Sequence, residues 1–74
     1  MINEIKQLLS DIFDVPLEQT QELQYGQHKN WDSMRHFLLI LALEDLWGKE
    51  IDEKTSPKLT SFNKIMEYYN GFLN

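Results

Sequence analysis

The chain of 74 residues contains no cysteine, only three glycines and only two prolines. Without thiols it can have neither a disulfide framework nor a zinc–thiolate site, and a cytoplasmic location is expected. Its longest uninterrupted apolar run, Phe37 to Leu43, is seven residues, far short of the roughly 20 that a membrane-spanning helix requires. The first residues, Met-Ile-Asn-Glu, have neither the basic nor the apolar region of a signal peptide. Neither membrane insertion nor export is expected. Positive charge is scarce as well, 7 Lys and Arg against 12 Asp and Glu, for a net charge of −5. An acidic surface repels phosphate backbones and argues against nucleic-acid binding. It favours partners with basic patches, chiefly by steering encounter.

The 42% hydrophobic content suits a folded chain, and the length suits one domain, 1–74, near the lower limit for a self-sufficient core. That domain is organised around residues 31–47, Trp-Asp-Ser-Met-Arg-His-Phe-Leu-Leu-Ile-Leu-Ala-Leu-Glu-Asp-Leu-Trp. Asp32 is a good helix N-cap, and Gly48 falls where a left-handed residue ends a helix. The helix between them carries two apolar stripes rather than one. At about 100° per residue, Leu39, Ile40, Leu43, Leu46 and Trp47 share one side. Met34, Phe37, Leu38 and Leu41 share nearly the opposite side, bordered by Glu44 and Asp45. Packing on a small core uses one stripe; the second is either further core or a surface kept for a partner. Ser33 opens the helix on the border of that second stripe.

Ahead of it, Ile2, Ile5, Leu9, Ile12 and Phe13 repeat at helical spacing, and Pro16 forces an end to that helix. Residues 14–30 read as a loop that Val15, Leu17, Leu23 and Tyr25 pin to the bundle. A loop that long in a small domain is usually functional or wraps something. After Gly48, residues 49–59 offer only Ile51 and Leu59 as apolar anchors and hold at most a short helical turn or two. Thr60 then reads as the N-cap of a last helix with Phe62, Ile65, Met66, Tyr69 and Leu73 on one face. Tyr68, Tyr69 and Phe72 read as packing or ordinary surface aromatics. The whole is an all-α fold, a small four-helix bundle with three longer helices and one short one.

Asp32-Ser33-Met34, the apolar helix running into Ala42-Leu43-Glu44-Asp45, Trp47, Glu50-Ile51, and Leu59-Thr60-Ser61-Phe62 leading to Ile65 and Tyr68-Tyr69 together resemble the acyl carrier and peptidyl carrier protein family. The register is unbroken from Trp31 onward; before it, only the helix pattern matches. The resemblance implies that Ser33 Oγ is esterified to 4′-phosphopantetheine, donated by coenzyme A, with Asp32 as part of the attachment motif. The arm's thiol would carry acyl or aminoacyl groups as thioesters for fatty acid, polyketide or nonribosomal peptide biosynthesis. Implied partners are a phosphopantetheinyl transferase, an acyl- or aminoacyl-activating loading enzyme, and a downstream acyltransferase or synthase. They would read Met34, Phe37, Leu38, Leu41, Glu44 and Asp45. The chain would act as a discrete monomer with no catalytic residue of its own. A negative phosphodiester suits a helix N-terminus, where unpaired backbone N–H groups and the dipole favour an anion.

Two features depart from the family. Trp31 stands where it commonly has glycine, which would alter the loop backbone or add an aromatic contact beside the arm. Arg35 and Leu38 stand where fatty-acid-synthesis carriers often have polar or acidic residues, hinting at a dedicated pathway. Other readings of the same residues compete. Asp32 and Ser33 alone are a cap and a first-turn serine, and the second stripe serves equally well in a cofactor-free helical interaction module. Asp32, Ser33 and His36 are close enough on a helix to suggest a hydrolase, but a nucleophile also needs a substrate cleft and oxyanion donors, and one exposed helix start offers little cleft. His28 reads as a solvated loop residue, and no third ligand is spaced for a metal.

Overall fold

The structure, a computed structural model, describes residues 1–73, the side chain of Leu73 excepted, so that Leu73's expected place on the last helix's apolar face lies outside the described residues. Three α-helices form the frame: α1 (Ile2–Phe13), α2 (Ser33–Trp47) and α3 (Phe62–Leu73). Two short 3₁₀ helices, Leu17–Glu22 and Ser56–Lys58, lie in the connections. Among the described residues there is no β-strand, only an isolated antiparallel pairing of Gln24 with Ser61. The three long helices are those the periodicity predicts, and the short fourth is the Ser56–Lys58 turn.

One stripe from each long helix meets in the centre. Ile5, Leu9 and Phe13 of α1 close on Leu39, Ile40 and Leu43 of α2 and on Phe62 and Ile65 of α3, all buried. Val15, Leu23, Trp31, Ile51 and Leu59 complete the cluster from the connections. Leu46 and Trp47 pack on its margin.

Helix ends follow local chemistry. Asp14 ends α1 with φ 56°, its N–H bonded to Ser10 O. A short polar side chain tolerates that left-handed backbone better than most, so the helix stops before Pro16 acts. Asp32 caps α2 by accepting the Arg35 N–H at 2.9 Å. Gly48 closes α2 at φ 63°, where any side chain would be strained. For α3 the cap is one residue later than the sequence suggests. Ser61 Oγ accepts the Lys64 N–H at 3.2 Å, while the Thr60 carbonyl accepts from Tyr25 N at 2.9 Å. Thr60 therefore joins the long connection to α3 instead of capping it.

The 14–30 connection is more ordered than a loop. Residues 17–22 form a 3₁₀ helix with Thr20 buried and its Oγ1 donating to Leu17 O at 2.8 Å. Nothing periodic in Leu-Glu-Gln-Thr-Gln-Glu announces it, because a 3₁₀ turn rests on local hydrogen bonds rather than an apolar stripe. Val15 and Leu23 anchor the segment as expected. Leu17 does not, being 45% exposed, whereas Tyr25 holds it through its N–H to Thr60 O and edge-type ring contacts with Trp31 and His36.

Candidate functional site

The start of α2 is assembled from three parts of the chain. Asp32 turns its carboxylate onto the Arg35 N–H, and the Asp32 carbonyl accepts His36 N at 2.9 Å. Ser33, the first helical residue, is exposed. Among the described residues no group hydrogen-bonds to its Oγ, and the Ser33 and Met34 N–H groups have no acceptor. These are the orphan donors of a helix N-terminus, the kind of group that favours an anionic oxygen.

Beside Ser33, Met34, Phe37, Leu38 and Leu41 are 73%, 61%, 48% and 46% exposed, while Leu39, Ile40 and Leu43 on the other side of the helix are buried. The second stripe is therefore surface, not core. Its two bordering acids differ. Asp45 is exposed, whereas Glu44 is half-buried and accepts the Ile51 N–H on Oε2 at 2.8 Å. Glu44 thus holds the chain after α2 as well as edging the apolar face.

Trp31 differs from its sequence expectation. Its φ is not positive, so it imposes no glycine-like backbone, and its ring does not lie beside Ser33 in solvent. Only 2% exposed, the indole stacks on Phe13 with centroids 4.4 Å apart. It fills core space that a glycine would leave empty. Asn30 donates to Phe13 O at 2.9 Å, so both residues before Asp32 tie the approach to Ser33 to the end of α1.

His36 is the residue that sequence reasoning underrated. Its Nδ1 lies 3.0 Å from Trp31 Nε1 and its Nε2 lies 2.7 Å from the Ser56 carbonyl. An indole N–H only donates and a carbonyl only accepts, so Nδ1 is bare and Nε2 carries the proton. With both nitrogens occupied it is no general base for Ser33, and the hydrolase reading loses its histidine. Ser56 is twenty residues away in the chain, a distance no local pattern reveals. His28, expected in solvent, is half-buried and accepts Asn30 N at 3.1 Å on Nδ1. Arg35 donates to Asn30 O at 3.4 Å. Among the described residues, no three His, Cys, Asp or Glu side chains converge as a metal site requires, and no helix is long and apolar enough to cross a membrane.

A small helical bundle that offers one unengaged serine at a capped helix start, beside an apolar face left in solvent, defines a protein equipped to be handled by others. No family model matches the chain. It is similar to the acyl carrier protein of Lactobacillus johnsonii, 27% identical over 75 residues that span 100% of this chain and 94% of that protein. It is also similar to the acyl carrier protein of Thermosynechococcus vestitus, 27% identical over 72 residues, 96% of this chain and 89% of that protein. These likenesses run over nearly the whole chain and agree with the resemblance to acyl carrier proteins read from the sequence.

Proposed function

We propose that the chain is a carrier protein, modified at Ser33 and not itself an enzyme. The carrying observation is the exposed Ser33 at the start of α2, with Oγ unengaged and two adjacent backbone N–H groups unpaired. Those residues fit 4′-phosphopantetheine. Oγ supplies the point of attachment, the Ser33 and Met34 N–H groups face a phosphodiester anion, and Asp32 fixes the turn that presents them. When bound, the arm supplies a thiol for thioester chemistry. Covalency holds it; the helix terminus adds only about 0.3–1 kcal/mol at an exposed site.

A phosphopantetheinyl transferase, a loading enzyme for an acyl or aminoacyl group, and a downstream acyltransferase or synthase are the expected partners. Met34, Phe37, Leu38 and Leu41 supply the apolar contact and Asp45 orients the approach. Glu44 takes part from the edge, through whatever its bond to Ile51 leaves free. The cofactor-free interaction module uses the same face and leaves Ser33 idle. Mass spectrometry after incubation with a transferase and coenzyme A separates the two. One added phosphopantetheine, absent in Ser33→Ala, is expected. An unchanged mass across several transferases sinks the carrier reading and leaves the module.

A further inference from the structure

We propose that His36 is a positioning residue for Ser33, a latch that holds the attachment site only while its imidazole is neutral. This rests on the reading of Ser33 as the modified residue. Three parts of the chain meet at the ring. Trp31, two residues before Ser33, donates its indole N–H to Nδ1; Nε2–H donates to Ser56 O in the turn before α3; and Tyr25 sets its edge on the ring face, centroids 5.1 Å apart. Ser33 and His36 share the first turn of α2, so whatever moves the imidazole moves the serine's own turn.

Protonation would put a hydrogen on Nδ1, where the indole N–H already points. Two donors would then face each other, and the bond to Trp31 breaks while that to Ser56 survives. Among the described residues no carboxylate forms an ion pair with the ring. From the 14–30 connection the ring meets Tyr25, and from the segment before α3 it meets the Ser56 carbonyl, whose charged neighbours Asp52, Lys54 and Lys58 are exposed. On α2 itself the Asp32 carboxylate is committed to Arg35 N and the Arg35 guanidinium to Asn30 O. Among the described residues the only ion pair is between the Met1 ammonium and Glu4. A proton on Nδ1 therefore unfastens Trp31, and with it the approach to Ser33.

Two measurements test this. In amide and indole NMR spectra of the wild-type chain, the Trp31 Nε1–H signal is expected to shift and exchange faster as acidification protonates the imidazole. The Trp47 indole, which has no acceptor among the described residues, stays put as the internal reference. In parallel, phosphopantetheine transfer to wild type and to His36→Gln is compared at each pH with one transferase. Glutamine keeps an acceptor and a donor but cannot protonate. The wild-type rate relative to the variant should fall about fivefold on acidification, the factor of one ordinary net hydrogen bond. A flat ratio with Ser33 still modified, or a Trp31 indole that ignores pH, overturns the latch. If neither protein is modified at any pH, the carrier reading fails, and the indole titration still decides the latch.

Discussion

The two ends of α2 are held by different physics. At the serine end Trp31 meets three rings, Phe13, Tyr25 and His36, and a directional hydrogen bond is added to them. Trp31 stacks on Phe13 and hydrogen-bonds to His36, which in turn reaches Ser56. At the far end Trp47 sits in a cluster of rings, 6.0, 5.5 and 5.2 Å from Tyr68, Tyr69 and Phe72, with the Lys49 ammonium over Tyr68 and Phe72. There the indole N–H is buried and, among the described residues, has no acceptor. Stacked rings tolerate sliding and repacking, whereas a chain of hydrogen bonds fixes one geometry. The end that presents Ser33 is the specified one.

Truncation tests that contrast most severely. Trp31→Ala removes a fully buried ring and the donor to His36, and should cost about 3–5 kcal/mol in denaturant unfolding. Trp47→Ala removes a half-buried ring whose neighbours can close in, and should cost clearly less. Equal losses at the two ends would erase the distinction.

Phenylalanine gives a finer test, because it keeps most of each ring. Trp31→Phe leaves the half-buried His36 Nδ1 without its donor and should cost about 1.5 kcal/mol, the upper end for an ordinary intramolecular hydrogen bond. Trp47→Phe removes an orphan N–H and recovers a similar desolvation term against the lost ring area, so its stability should change little. The ranking of the two midpoints decides whether the hydrogen bond or the ring area governs the serine end.

How much of this was legible in the sequence follows from what each contact depends on. The two faces of α2 were, because a 3.6-residue period places Leu43 and Leu41 on opposite sides whatever else the chain does. Its limits were too, since Asp32 and Gly48 act locally. Thr60 and Ser61 show where that stops: both can cap, and the choice went to Ser61 because the Thr60 carbonyl pairs with Tyr25 thirty-five residues earlier. The 3₁₀ helix at 17–22 left no trace in the apolar pattern. Trp31 was visible as an oddity, but its burial depends on the space beside Phe13, which no spacing encodes. The tie from His36 to Ser56 was hidden for the same reason. The capped, exposed Ser33 was thus readable, while the scaffold that aims it was not.

A smaller effect is expected at the cap itself. Asp32→Ala removes the acceptor for Arg35 N and should cost about 1 kcal/mol, as N-cap losses typically do. Because Asp32 would also belong to the proposed attachment motif, unfolding and transfer to Ser33 are to be measured on the same samples. Loss of transfer well beyond the loss of stability would assign the carboxylate to recognition by the transferase. Proportionate losses would make it a cap alone.

The smallest expected effect comes from the turn that feeds Ser56. Asp52 accepts Thr55 N at 2.7 Å, and the hydrogen bonds with the Thr55 side chain and backbone hold its carboxyl below the ordinary value of 3.8. A carboxyl more acidic in the folded than in the unfolded chain stabilises the fold above its unfolded value. That contribution is lost as pH falls through the lower folded value. It therefore disappears only below 3.8. Asp52→Asn should flatten the acid limb of the stability curve without moving the Trp31 indole titration. If instead the variant displaces that titration, the Ser56 carbonyl is held by the Asp52 turn more tightly than by α2, and the serine end is governed from the far side of the imidazole.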